Sequence, residues 1–79
     1  MQQAISKINT VLVEKLGLEE QQLKPEASFD NDLGVDSLDV WELFQELERT
    51  FNIDIPDEDA EKLTTLGAVY SYVQESCEN

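Results

Sequence analysis

The stretch GVDSLDVWELFQELERTF, residues 34–51, decides the reading of this chain. At about 100° per residue, Val40, Leu43, Phe44, Leu47 and Phe51 fall within one arc of about 100°, the width of a helix face turned toward a core. The pattern predicts a helix that starts near Ser37 and runs to about Phe51. Asp36 or Ser37 can cap its N-terminus, and Asp39 suits the positive end of its dipole. Leu38 and Trp41 fall outside the arc, among Glu42, Gln45, Glu46 and Arg49. Two apolar side chains ringed by carboxylates have the pattern of a small hydrophobic anchor within an acidic rim. Single exposed apolar residues are common, however, and Trp41 leaning against a neighbouring loop is an equally good account of that residue.

Outward from this helix, three more helical segments are legible, and no strand pattern competes with them. Toward the N-terminus, Ile5, Ile8, Leu12 and Leu16 follow one helical face, with Gly17 as a stop. Residues 18–35 form a long connection marked by Pro25, the Asp30-Asn31-Asp32 run and Gly34, with Leu18, Leu23, Phe29 and Leu33 expected to pin it to the core. Toward the C-terminus, Ile53 and Ile55 sit in an extended stretch closed by Pro56, which can open a short third helix over residues 57–61. The last helix has Thr65 as its cap and Leu66, Val69, Tyr70 and Val73 on one side. The expected architecture is all-α in a single domain spanning residues 1–79, with three longer helices and a short third one.

Charge narrows the function. Eighteen acids against five bases give a net charge of −13, and there is no histidine. Residues 30–62 hold twelve of those acids and two bases, Arg49 and Lys62. Residues 1–29 hold four acids and three bases, close to balance. A field of that sign repels phosphate backbones and anionic lipid heads, which excludes nucleic acid and membrane surface as partners. Acidic excess serves solubility by default. Its concentration in one half of a short chain favours a docking surface for basic proteins.

Chains of 79 residues, 41% of them hydrophobic, build one small core and leave little room for a deep, water-free catalytic site. Among these residues no base, nucleophile pair or ligand cluster appears, so the chain is not expected to be an enzyme. Cys77, the single cysteine, allows no internal disulfide and reads as incidental. Met1 through Thr10 lack the features of a signal peptide, and no segment approaches membrane-spanning length, so a soluble, cytoplasmic monomer is expected. Asp30, Asp32, Gly34 and Asp36 alternate in the manner of calcium ligands. Counted from Asp30, the sixth position is Val35 where that loop requires glycine, and the twelfth is Trp41 where it requires glutamate. No metal site is assigned, although loose divalent binding by the carboxylates stays open.

A serine at a helix start is most often a cap. The surroundings of Ser37 say more. Gly34-Val35-Asp36-Ser37-Leu38 resembles the phosphopantetheine attachment motif of the acyl carrier protein family. The similarity continues through Asp39, Glu42 and Leu43, through Phe51-Asn52-Ile53-Asp54-Ile55-Pro56-Asp57-Glu58, and on through Asp59-Ala60-Glu61-Lys62-Leu63-Thr64-Thr65. It is closest to the stand-alone carriers of bacterial or organellar fatty acid synthesis.

The resemblance implies a small four-helix bundle with Ser37 at the start of the second helix. It implies that a phosphopantetheinyl transferase moves a 4'-phosphopantetheine arm from coenzyme A to the Ser37 hydroxyl, with Asp36 assisting the modification. The arm's thiol then carries acyl groups as thioesters between enzymes of fatty acid biosynthesis. Those acyl-transferring and synthesis enzymes would bring basic docking patches to Leu38, Asp39, Trp41, Glu42, Gln45, Glu46, Arg49 and Glu58. By the same analogy a core of Val40, Leu43, Phe44, Leu47, Ile53, Leu63, Val69 and Tyr72 would open to shelter an acyl chain. The helix N-terminus would offer unpaired N–H groups to the new phosphate. Trp41 and Gln45 stand where such carriers usually have aliphatic residues or methionine, and Arg49 stands where many have an acid. These departures keep open a carrier dedicated to a polyketide, lipopeptide or other specialised pathway, and behind it an unmodified acidic interaction module.

Overall fold

The computed structural model describes residues 2–77, in four α-helices: α1 (Gln2–Leu16), α2 (Ser37–Phe51), α3 (Asp57–Ala60) and α4 (Leu66–Cys77). A 3-10 turn at Glu20–Gln22 breaks the first connection. The side chain of Cys77 lies outside the described residues. This is the expected all-α bundle, with three long helices around a core and one short helix laid at its edge.

Each long helix contributes the residues that its periodicity singled out. Ile8 and Leu12 of α1, Leu43 and Leu47 of α2, and Leu66, Val69 and Val73 of α4 are almost fully removed from water. Phe29 from the connection meets Phe44 of α2 edge to face, with ring centroids 6.4 Å apart. Tyr70 is buried with its hydroxyl on Asn9 Oδ1 of α1. Burial raises the Tyr70 pKa, and the bond to Asn9 partly opposes that rise.

Tyr72, expected in the core, lies at its edge. Its position on α4 is one turn on from Val69, about 60° around the helix from it, so the ring leaves the core for α3. There its hydroxyl donates to Asp59 Oδ2 at 2.8 Å and approaches the Asp54 carbonyl at 3.2 Å. Burial, then the Asp59 bond and the charges of Asp59, Asp54 and Glu48, push its pKa up to about 12. The α3 helix buries none of its own residues, so this side-chain tie to α4 helps hold it in place.

The long connection is strapped rather than loose. Phe29 N donates to Thr64 O, Leu66 N to Ala27 O and Gly67 N to Pro25 O, so its second half runs against the start of α4. Ser28 and Thr65 form an isolated antiparallel bridge at the centre of this strap. Leu18, Phe29 and Leu33 are buried as expected, joined by Ala27 and Val35, whereas Leu23 is only half-buried. Close packing leaves no room beside Gly67, where an added Cβ would sit 2.9 Å from Pro25 O.

Helix ends follow local chemistry. Thr65 Oγ1 accepts from Ala68 N, capping α4 as expected. Asn52 ends α2 in the left-handed conformation, φ 56°, and Ile53 N then bonds Glu48 O. Asparagine is among the few residues that tolerate that region. The Glu48 carboxylate accepts from Ile55 N at 2.7 Å, fixing the extended stretch that leads to Pro56. One residue short of expectation, α3 ends at Ala60, with Glu61 as its C-cap.

Candidate functional site

The site begins with a turn. Gly34 takes φ 64°, a left-handed conformation natural to glycine. Val35 is buried behind it, and its N–H donates to Phe29 O at 2.8 Å. The backbone is therefore held firmly where α2 begins. Asp36 is the N-cap: its Oδ1 accepts from Leu38 N at 2.8 Å and Asp39 N at 3.2 Å. Between the two residues able to cap this helix, the geometry selects Asp36. Ser37 is released from that duty and stands exposed at the first helical position, and no hydrogen bond among the described residues engages its hydroxyl.

One expectation at this point is corrected. Most of the N-terminal N–H groups that were to face a phosphate are taken, since Asp36 accepts from Leu38 N and Asp39 N and Val40 N bonds Asp36 O, which leaves that of Ser37. A carboxylate at the N-cap and another at Asp39 also offset the positive dipole end. What the helix start provides is a rigid, accessible hydroxyl rather than an anion cradle. Of the alternating run, Asp32 is likewise in local use, its Oδ2 accepting from Ser28 N at 2.8 Å.

From Ser37 the surface divides. Leu38, Glu42, Gln45 and Arg49 recur at the four- and three-residue spacing of one helical stripe, and all four are exposed, as are Asp39 and, on α3, Glu58. Glu46 is only partly exposed and pairs with Arg49 Nη1 at 3.3 Å. Leu38, 71% exposed, and Trp41, 56% exposed, are the large apolar side chains left in water among the described residues. They do not share a role in the architecture. Leu38 points away from the bundle, whereas Trp41 flanks a groove between α2 and α3.

That groove has a volume of about 580 Å³ and includes Ser37 in its lining. Phe29, Val40, Phe44 and Leu63 make it apolar, while Asp30, Asp57 and Glu61 supply carboxylates. Of the core residues expected to shelter an acyl chain, Val40, Phe44 and Leu63 line it. Leu43, Leu47 and Val69 are sealed inside the bundle instead, and Ile53 and Tyr72 lie elsewhere. Sequence reasoning missed the α3 wall of Asp57, Ala60 and Glu61. Pro56 announced a short helix but carried no information about where it would rest.

No described helix is long and apolar enough to cross a membrane. Compared with known protein families, residues 6–73, from α1 into α4, match the family described as "Phosphopantetheine attachment site".

Proposed function

The chain belongs to the phosphopantetheine attachment site family, and from that premise we propose that Ser37 is the residue that receives the arm. A member of this family carries covalent 4'-phosphopantetheine, whose terminal thiol, once in place, holds an acyl group as a thioester. The observation that carries the assignment is the free, exposed hydroxyl of Ser37 on a stiff helix start at the lip of an apolar groove. In attachment the Ser37 Oγ forms a phosphodiester at the phosphate of coenzyme A that bears the pantetheine. The nucleotide half of coenzyme A departs, and the hydroxyl proton goes to a base of the transferase. Asp36 keeps the backbone in register for that step and, on this reading, helps the transferase place its metal and coenzyme A.

The carrier itself then performs no bond chemistry. Catalysis comes from partner enzymes that dock on the exposed stripe of Leu38, Glu42, Gln45 and Arg49, with Asp39, Trp41, Glu46 and Glu58 around it. A net charge of −13 draws basic patches to this face. Such complementarity raises encounter rates more than it tightens binding, which suits a shuttle that must leave each enzyme promptly. We place the chain in fatty acid biosynthesis in the cytoplasm, as a single-domain monomer. The second reading, a carrier dedicated to a specialised pathway, is favoured by one observation: an indole, 56% exposed, beside the groove.

The test is intact mass after incubation with coenzyme A, magnesium and a broad-specificity phosphopantetheinyl transferase. The parent should gain one phosphopantetheine and Ser37→Ala none. A parent that is folded and unmodified at the start yet gains nothing would leave only the unmodified interaction module.

A further inference from the structure

Charge along the outer stripe of α2 changes sign. Residues 36–42 hold three acids, Asp36, Asp39 and Glu42, and no base. The charged residues of 43–50 are Glu46, Glu48 and Arg49. Both of those glutamates are half-buried and locally engaged, Glu46 accepting from Arg49 Nη1 at 3.3 Å and Glu48 from Ile55 N at 2.7 Å. Arg49 is the charge of that half that stands fully in water, its side chain 77% exposed. Its contact with Glu46 uses one guanidinium nitrogen, and an exposed pair of this kind is weak, so the fork keeps donors for an incoming carboxylate. Seven residues, two helical turns, separate Glu42 from Arg49, so both project from one side about 10 Å apart along the axis. That spacing equals the Debye length of about 10 Å at 0.1 M salt, so a docking surface meets a negative end and a positive end rather than their sum.

We infer that Arg49 is a specificity-determining residue of the docking face. The partner it fits carries basic side chains beside the mouth that admits the arm and a carboxylate about 10 Å further out, opposite Arg49. This rests on docking along α2 as proposed above, and adds to it the polarity of the partner's patch. The net charge of −13 draws any basic surface toward the chain, and Arg49 then sorts those that arrive. A patch that is basic along its whole length sets like charges together at Arg49 and is disfavoured there. A patch with an acid at that end gains a forked guanidinium–carboxylate contact. Arg49 also lies in the last turn of α2, where a cation suits the helix dipole, so the test must separate recognition from a purely structural role.

The probe is a malonyl transferase of bacterial fatty acid synthesis whose docking patch is basic throughout. Holo protein, verified by intact mass, receives malonyl groups from malonyl-coenzyme A, and kcat/KM is measured for the parent, Arg49→Glu, Arg49→Lys and Glu42→Lys. Each base of the enzyme's patch is also replaced in turn by glutamate. All carrier variants should keep parental helicity by circular dichroism. With the unaltered enzyme, Arg49→Glu should gain about three- to ten-fold in kcat/KM, through KM rather than kcat, and the gain should vanish near about 0.5 M salt. One base-to-glutamate enzyme should show the reverse preference, favouring the parent over Arg49→Glu, and Arg49→Lys should follow the parent. Glu42→Lys should lower transfer by the unaltered enzyme. A role confined to the helix dipole would shift the melting temperature of Arg49→Glu without changing which enzyme it prefers, and that result overturns the inference. So does a loss in Glu42→Lys with no effect at Arg49, which leaves docking on α2 standing. If neither substitution alters transfer, docking on α2 is itself refuted and this inference falls with it.

Discussion

Asp36 has two duties in this account, and substitution can separate them. Its carboxylate accepts two backbone N–H groups, at 2.8 and 3.2 Å, at the start of the helix that bears Ser37. Replacing an N-cap aspartate by alanine typically costs about 1 kcal/mol, within about 0.5–2. Removing one negative charge near Asp30, Asp32 and Asp39 relieves some repulsion and offsets a part of that. The freed N–H groups sit at the surface, where water satisfies them, so the cost does not reach that of a buried orphan donor. A net loss of about 1 kcal/mol lowers Tm by about 4–8 °C in a domain of this size. Asparagine is as good a cap as aspartate, so Asp36→Asn should stay within about 0.5 kcal/mol of the parent. Thermal melts followed by circular dichroism at neutral pH measure both. An alanine variant that melts with the parent, or an asparagine variant that falls as far as alanine, would refute the capping argument. The folded asparagine variant then isolates the charge. Arm transfer should slow at least about ten-fold, equivalent to about 1.4 kcal/mol of transition-state stabilisation. An unchanged transfer rate would reduce Asp36 to a cap.

Three further outcomes are expected. Ser37→Ala should unfold within about 0.5 kcal/mol of the parent, because its exposed hydroxyl holds nothing, and should gain no mass with transferase; a large loss in the melt would show a structural role. Gly67→Ala should destabilise by about 1–3 kcal/mol despite the better helix propensity of alanine, because the new Cβ meets the Pro25 carbonyl oxygen at 2.9 Å; a raised Tm would show that the strap gives way. Tyr72 has its folded-state pKa raised from 10.0 to about 12, so its contribution is complete below pH 10 and is lost as pH rises through 12, since the unfolded chain ionises first. Urea midpoints should therefore fall between these limits more steeply in the parent than in Tyr72→Phe, and parallel curves would contradict the bond to Asp59.

Helices α1, α2 and α4 were legible because each is decided by its own residues. The spacing of Ile8 and Leu12, of Leu43 and Leu47, and of Leu66, Val69 and Val73 gives each segment one apolar face whatever it packs against. The serine motif was equally local, since a glycine turn, a cap and an exposed hydroxyl lie within four consecutive residues.

What periodicity leaves open is where such a face ends and what stands opposite it. Tyr70 and Tyr72 both border the apolar side of α4, and only the presence of Asp59 and the Asp54 carbonyl across the gap draws the second hydroxyl outward. Trp41 looked equally suited to solvent or to a loop until α3 came to rest beside it. The groove exists because the strap from Pro25 to Phe29 lies on the start of α4 and brings Phe29 and Leu63 under Ser37. The hydrogen bonds of that strap join residues more than thirty positions apart along the chain. The sequence by itself therefore determined the helices, the apolar face of each long one and the position of Ser37, the proposed attachment residue. Tertiary structure decided which side chains line the space beside that serine, because contacts between distant segments follow from packing the whole core at once.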